Sequence, residues 1–146
     1  MVQQTVAKGV ALITCLILIV IGGTYYQHEQ LNTRVHNGIT YYVADTEEKR
    51  VKGLSGREQL YENEAMLFVF KEEAAYNFWM KDMNFYIDII WVSREGTVVH
   101  IEQNVSPHSY PEIFGPEKPA LYVVEGTSGF AQRQGWTVGT SVSLPL

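Results

Sequence analysis

Gly9 to Gln27 is a run of 19 residues without a charged side chain. Its centre, Val10 to Ile21, is interrupted only by the polar Thr14. A helix of that length covers roughly 28 Å, the thickness of a hydrocarbon core. Tyr25 and Tyr26 close the run, where amphipathic rings favour a membrane interface. The expectation is one membrane helix in an uncleaved anchor, residues 1–26, touching lipid through residues 9–26. Lys8 and the amino terminus precede the run and Glu29 follows it, so the N-terminus is expected in the cytoplasm. The rest of the chain then lies outside, periplasmic or at the cell surface. The alternative is secretion after signal cleavage, because an apolar centre of 12 residues also fits a signal peptide. Val20-Ile21-Gly22 is a poor cleavage site, lacking an Ala-x-Ala pattern.

This run also accounts for the low charge content, 18% against roughly 25% for an average soluble domain. Setting aside residues 1–26 removes Lys8 from the 11 basic residues and none of the 16 acidic ones, which leaves −6. An acidic domain of this kind is not expected to bind nucleic acid. Cys15, the single cysteine, lies in the apolar run. The remainder therefore has neither a disulfide nor a thiol nucleophile. GxGxxG, GxxxxGK[ST] and GxSxG are missing, and so are the HxH, HExxH and CxxC spacings of metal sites. No cofactor and no metal is expected.

Gln27 to Asn37 is polar and reads as a linker. Gly38 to Leu146 reads as one domain. Gly38–Ala44, Met66–Phe70, Tyr76–Met80, Tyr86–Val92, Thr97–Gln103, Ala120–Glu125 and Gly139–Leu144 have strand composition. Asp45-Thr46-Glu47-Glu48 is a capping-box variant that starts a short helix, which Gly53 and Gly56 stop. Ser128–Gln134 is a second short helix closed by Gly135. The expected fold is mainly β, an antiparallel sandwich or partly open barrel with two short helices, preceded by the membrane helix.

Phasing the strands by twos selects the candidate site residues. Tyr86–Val92 is apolar on both sides, which puts Asp88 on a buried face. Glu125 shares a face with Leu121 and Val123. A buried carboxylate needs a partner or stays protonated. Lys81 shares a face with Trp79, and Arg57 follows the Gly56 turn. The functional reading gathers Trp79, Lys81, Asp88, Glu125 and Arg57 into one ligand pocket. Asp88 and Glu125 are then the candidate catalytic pair, general acid and base as in glycoside hydrolysis. The structural alternative is an ion pair that ties two strands together. His100, Glu102 and His108 lack metal-ligand spacing and read as solvated.

Several segments, taken in order, resemble the domain of unknown function 192 family. They are Arg50-Val51-Lys52-Gly53-Leu54, Glu64 to Phe70, Phe78-Trp79-Met80-Lys81-Asp82-Met83, Ile87-Asp88-Ile89-Ile90, Tyr122-Val123-Val124-Glu125-Gly126, Gly129, and Gly135-Trp136-Thr137-Val138-Gly139. The resemblance covers nearly all of residues 38–146. It implies a compact, mainly β, sandwich-like domain with a pocket, often exported or tethered in prokaryotes, and no established activity. Tyr86-Ile87 replaces the family's usual Pro-Leu, and Ser55 and Ala65 stand where Met and Gly are common.

Three functions compete. The first is a tethered module binding a small polar or sugar-like ligand. The second is a cell-envelope hydrolase with paired carboxylates. The third is a structural or interaction domain whose protein partner the sequence does not identify. The absence of a nucleophile, His dyad or metal motif favours binding over catalysis.

Overall fold

The computed structural model describes residues 32–146. The expected membrane helix and the topology built on it lie outside these residues. Among the described residues, no helix is long and apolar enough to cross a membrane.

Strands β1 (Asn32–His36) and β2 (Ile39–Ala44) form an antiparallel hairpin, with His36 opposite Ile39. Asn37 and Gly38 turn it with φ of 50° and 77°, the left-handed pair that a two-residue hairpin needs. Residues 32–36 are therefore strand, where a linker was expected. β1 is an edge strand with mostly exposed side chains, so its polar composition hides its pairing.

After β2 comes helix α1 (Glu47–Lys52). Its N-cap is Thr46, whose side chain accepts from the Lys49 amide at 3.3 Å. Asp45 instead meets Lys49 Nζ at 2.9 Å. Gly53 ends the helix at φ 50°. The crossover returns the chain to β3 (Glu64–Ala74), parallel to β2. β4 (Ile87–Val92), β5 (Val98–Val105) and β6 (Ala120–Thr127) complete one sheet, and helix α2 (Phe130–Arg133) follows.

The sheet order is β1-β2-β3-β6-β4-β5, antiparallel except at β2–β3. The expected sandwich or barrel is thus corrected to a single open, mixed sheet of six strands. Both faces of the central strands are apolar because helices and loops, not a second sheet, cover them. The front face holds Met66, Phe68, Ile87, Ile89, Trp91 and Val123 under Leu54, Leu60 and Met80. The back face holds Tyr41, Leu67, Ile90, Val92 and Val124 under Phe130 and Ala131.

Two expected strands are not strands. Tyr76–Met80 is an apolar loop across the front face, with one isolated bridge, Phe78 to Phe114, among the described residues. Trp91 Nε1 donates to the Tyr76 carbonyl at 2.8 Å and pins the loop. Gly139–Leu144 runs beside the β4–β5 turn with one bridge, Thr97 to Ser141. Its apolar residues Val142 and Leu144 pack on the back face without a ladder.

At Gly126 the side chain of Phe130 from α2 lies close against the sheet. A Cβ there would lie 2.6 Å from the Phe130 Cβ and overlap its ring. Phe130 is fully buried and has little room to give. Gly126→Ala should cost about 1–3 kcal/mol by overpacking. Urea denaturation checks this, and an unchanged midpoint would contradict the close approach.

Candidate functional site

Glu125 lies in the middle of β6, opposite Met66 of β3 and Ile89 of β4. The alternation of β6 puts it on the front face with Val123. Its side chain is 5% exposed. No hydrogen bond or ion pair holds it among the described residues. Burial penalises its charged form and pushes its pKa up to about 8.

Glu125 lines a cavity of about 240 Å³ between the sheet and α1. Phe68 and Phe70 of β3 form the floor beside it. Arg50, Val51 and Lys52 of α1 form one wall, and Tyr76, Asn77, Phe78 and Trp79 another. The aromatic walls brace each other: Phe70 stacks on Tyr76 at 3.5 Å, and Phe68 meets Phe78 edge-on at 4.9 Å. Trp79, 49% exposed, stands at the mouth. Gly53 combines its positive φ with a close approach, since a Cβ there would touch the Phe68 ring at 3.4 Å.

Three polar side chains of the lining, Arg50, Ser55 and Tyr76, are already engaged. Arg50 donates to the carbonyls of Asp45 at 2.9 Å and Val69 at 3.0 Å, with its guanidinium 5.2 Å from the Phe70 ring centre. Ser55 Oγ donates to the Lys81 carbonyl at 2.9 Å, and the Tyr76 hydroxyl to that of Glu72 at 2.7 Å.

The residues singled out from the sequence do not assemble as one cluster. Trp79 and Glu125 share the cavity. Lys81 is exposed and borders an adjoining open depression with Trp79 and Lys52. Arg57 lies 4.1 Å over the Tyr42 ring, and the Tyr42 hydroxyl donates to Glu64 at 2.7 Å. That bond to Glu64 raises the Tyr42 pKa.

Asp88 is on the opposite face of the sheet. Its Oδ1 accepts from the Asn104 amide at 2.9 Å and its Oδ2 from the Ala131 amide at 3.0 Å. It fastens the end of β5, where Asn104 has φ 55°, to the first turn of α2. The partner opposite Glu125 is Ile89, one residue away, and that single step turns Asp88 to the back. The expected carboxylate pair across one cleft is therefore not formed, and neither is an ion pair of Asp88 or Glu125 with Lys81 or Arg57. His100 and Glu102 meet at 2.9 Å, both partly exposed.

Sequence reasoning missed Arg50, Lys52, Asn77 and the aromatic floor as parts of the site. Phase was the available signal: Met66, Phe68 and Phe70 alternate along β3 in step with Glu125 across the ladder.

Comparison with known proteins gives a family but no activity. The family model of the domain of unknown function 192, described as an uncharacterised conserved group, matches residues 29–144. No curated protein matches the chain. A crystal structure of a candidate transcription regulator from Sinorhizobium meliloti 1021 is similar at 32% identity and TM-score 0.65, covering 69% of this chain and 78% of that one. A protein of unknown function from Novosphingobium aromaticivorans DSM 12444 is similar at 26% identity and TM-score 0.68, covering 80% and 95%. With the family model matched over residues 29–144, the chain belongs to the domain of unknown function 192 family.

Proposed function

We propose that the domain binds a small ligand in the front-face cavity, with Glu125 as its recognition group. The observation that carries this reading is the unpartnered, buried carboxyl at the base of an aromatic cavity. A polar group left in that setting costs stability unless something pairs with it. Concave apolar sites with one or two polar anchors are the usual form of small-molecule sites. The opposite-face position of Asp88 removes it as the partner of Glu125 in paired-carboxylate hydrolysis. The acidic balance gives no support to nucleic-acid binding, so the regulator description of the Sinorhizobium protein is not extended to this chain. The uncharged run from Gly9 to Gln27 supports a tether that holds this binding domain outside the membrane.

A thermal-shift screen of the full chain against amines, sugars, cell-wall fragments and metal ions tests the reading. A ligand at about 100 times its Kd adds about 2.7 kcal/mol to stability. Hits should lose most of their effect on Glu125→Gln while the variant stays folded. A screen in which every hit acts equally on wild type and variant would sink the proposal.

A further inference from the structure

We infer that the ligand is a small organic cation, an ammonium group on an apolar body, rather than a sugar. This rests on the binding reading above and specifies the chemistry of the same cavity. Three observations carry it.

The first is the demand of the cavity for hydrogen bonds. A sugar presents many hydroxyls and needs several free donors and acceptors around it. Here Ser55 and Tyr76 already spend their hydroxyl donors on backbone carbonyls, and Arg50 spends its Nη1 on two more. Glu125 is the buried polar group left in the lining, while Asn77 is exposed. One carboxyl beside aromatic rings suits a ligand with one charged head and an apolar body.

The second is charge. Arg50 and Lys52 line the cavity with Glu125, yet neither forms an ion pair with it. Arg50 is held against Phe70 and two carbonyls. Lys52 is exposed to solvent. Among the described residues no cation is paired with Glu125, so an incoming cation finds an open place. In that low-dielectric position an ion pair is worth more than it is in water.

The third is the walls. Phe68, Phe70, Tyr76, Phe78 and Trp79 surround the cavity with π systems. A cation over the face of such a ring is attracted by its quadrupole. Glu47, also in the lining, offsets part of the positive charge of α1. The net acidic chain favours approach of a cation over an anion.

The charged and titratable groups facing Glu125 are Glu47, Arg50 and Lys52 of α1 and Tyr76 of the loop. Its neighbours on β3 and β4, Met66 and Ile89, carry none. One strand farther out are Tyr42, paired with Glu64, and Glu102, paired with His100. A cation at Glu125 requires the carboxylate, so binding should release a proton wherever the free acid is protonated.

The test is calorimetric titration of the full chain with benzyltrimethylammonium, benzyl alcohol and glucose, from about pH 6 to about pH 9. The quaternary ammonium keeps its charge throughout, so any pH dependence belongs to the protein. Its affinity should rise about tenfold per pH unit until Glu125 ionises, then level off. Glu125→Gln should abolish the rise, and Trp79→Ala should weaken binding while leaving the pH profile in place. If benzyl alcohol or glucose binds as well as the cation and depends on Glu125, the cation inference falls and the cavity reading survives. If none of the three binds, both fall.

Discussion

Wild-type stability should fall as pH rises from about 4.5 to about 8, and Glu125→Gln should remove that fall. The sign follows from proton counts. Glu125 ionises near 4.5 when unfolded and near 8 when folded. Between those values the folded state holds a proton that the unfolded state has released. Its favourable contribution is complete below 4.5, declines across the interval, and is gone above 8. The difference is on the order of 5 kcal/mol, a large part of the stability of a domain this size. Gln keeps the shape and neutrality of the protonated acid. At pH 4.5 the variant should match wild type; at pH 8 it should be more stable by about that amount. Asp45, lowered by its hydrogen bond to Lys49, acts below this interval and with the opposite sign, and its exposure makes it minor. Urea denaturation of both proteins across the range measures the effect. Parallel curves for the two would show that Glu125 carries no penalty. A carboxyl kept where Gln would be more stable is the kind of local cost that functional sites carry.

The parts of this arrangement that were legible in the sequence are those set by composition and phase. Ile87–Val92 is apolar at every position but Asp88, and it is the fully buried strand of the sheet. Glu125 falls in phase with Val123, so its burial on the front face could be foreseen. What could not be read was register. Asp88 and Glu125 each occupy a buried face, and sequence alone does not say whether Asp88 or Ile89 lies opposite Glu125. A step of one residue decides between a carboxylate pair and two unrelated sites. The Tyr76–Met80 loop misleads for a different reason. Its apolar residues answer to the front face beneath them rather than to a strand partner, and hydrophobic content does not distinguish the two. β1 is the converse, a polar segment whose hydrogen bonds come from its hairpin partner and whose side chains owe little to the core. The parallel pairing of β2 and β3 is imposed by the α1 crossover, which strand composition does not disclose.

Asp88→Ala should destabilise the domain by about 2–5 kcal/mol and leave ligand affinity at the front face unchanged. Asp88 is 1% exposed. Each oxygen accepts a backbone amide, from Asn104 and from Ala131. Alanine leaves both amides without that partner, and each such loss costs about 1–3 kcal/mol in a buried setting. The effect should be concentrated at the junction of β5 and α2. The Ala131 amide belongs to the first turn of α2, whose N-cap Gly129 offers no side-chain acceptor. Asp88 therefore does from β4 the work that a capping side chain does from within a helix. Asn104 keeps its left-handed φ partly because that amide is held. Asp88→Asn separates geometry from charge: its amide oxygen can satisfy one of the two donors but not both, so its loss should be intermediate. Hydrogen exchange would show early opening of residues 129–133 and 103–105, with β3 and the Glu125 cavity protected until global unfolding. If Asp88→Ala instead weakened ligand binding at unchanged stability, the two carboxylates would be coupled through the sheet, and the division of labour between its faces would have to be abandoned.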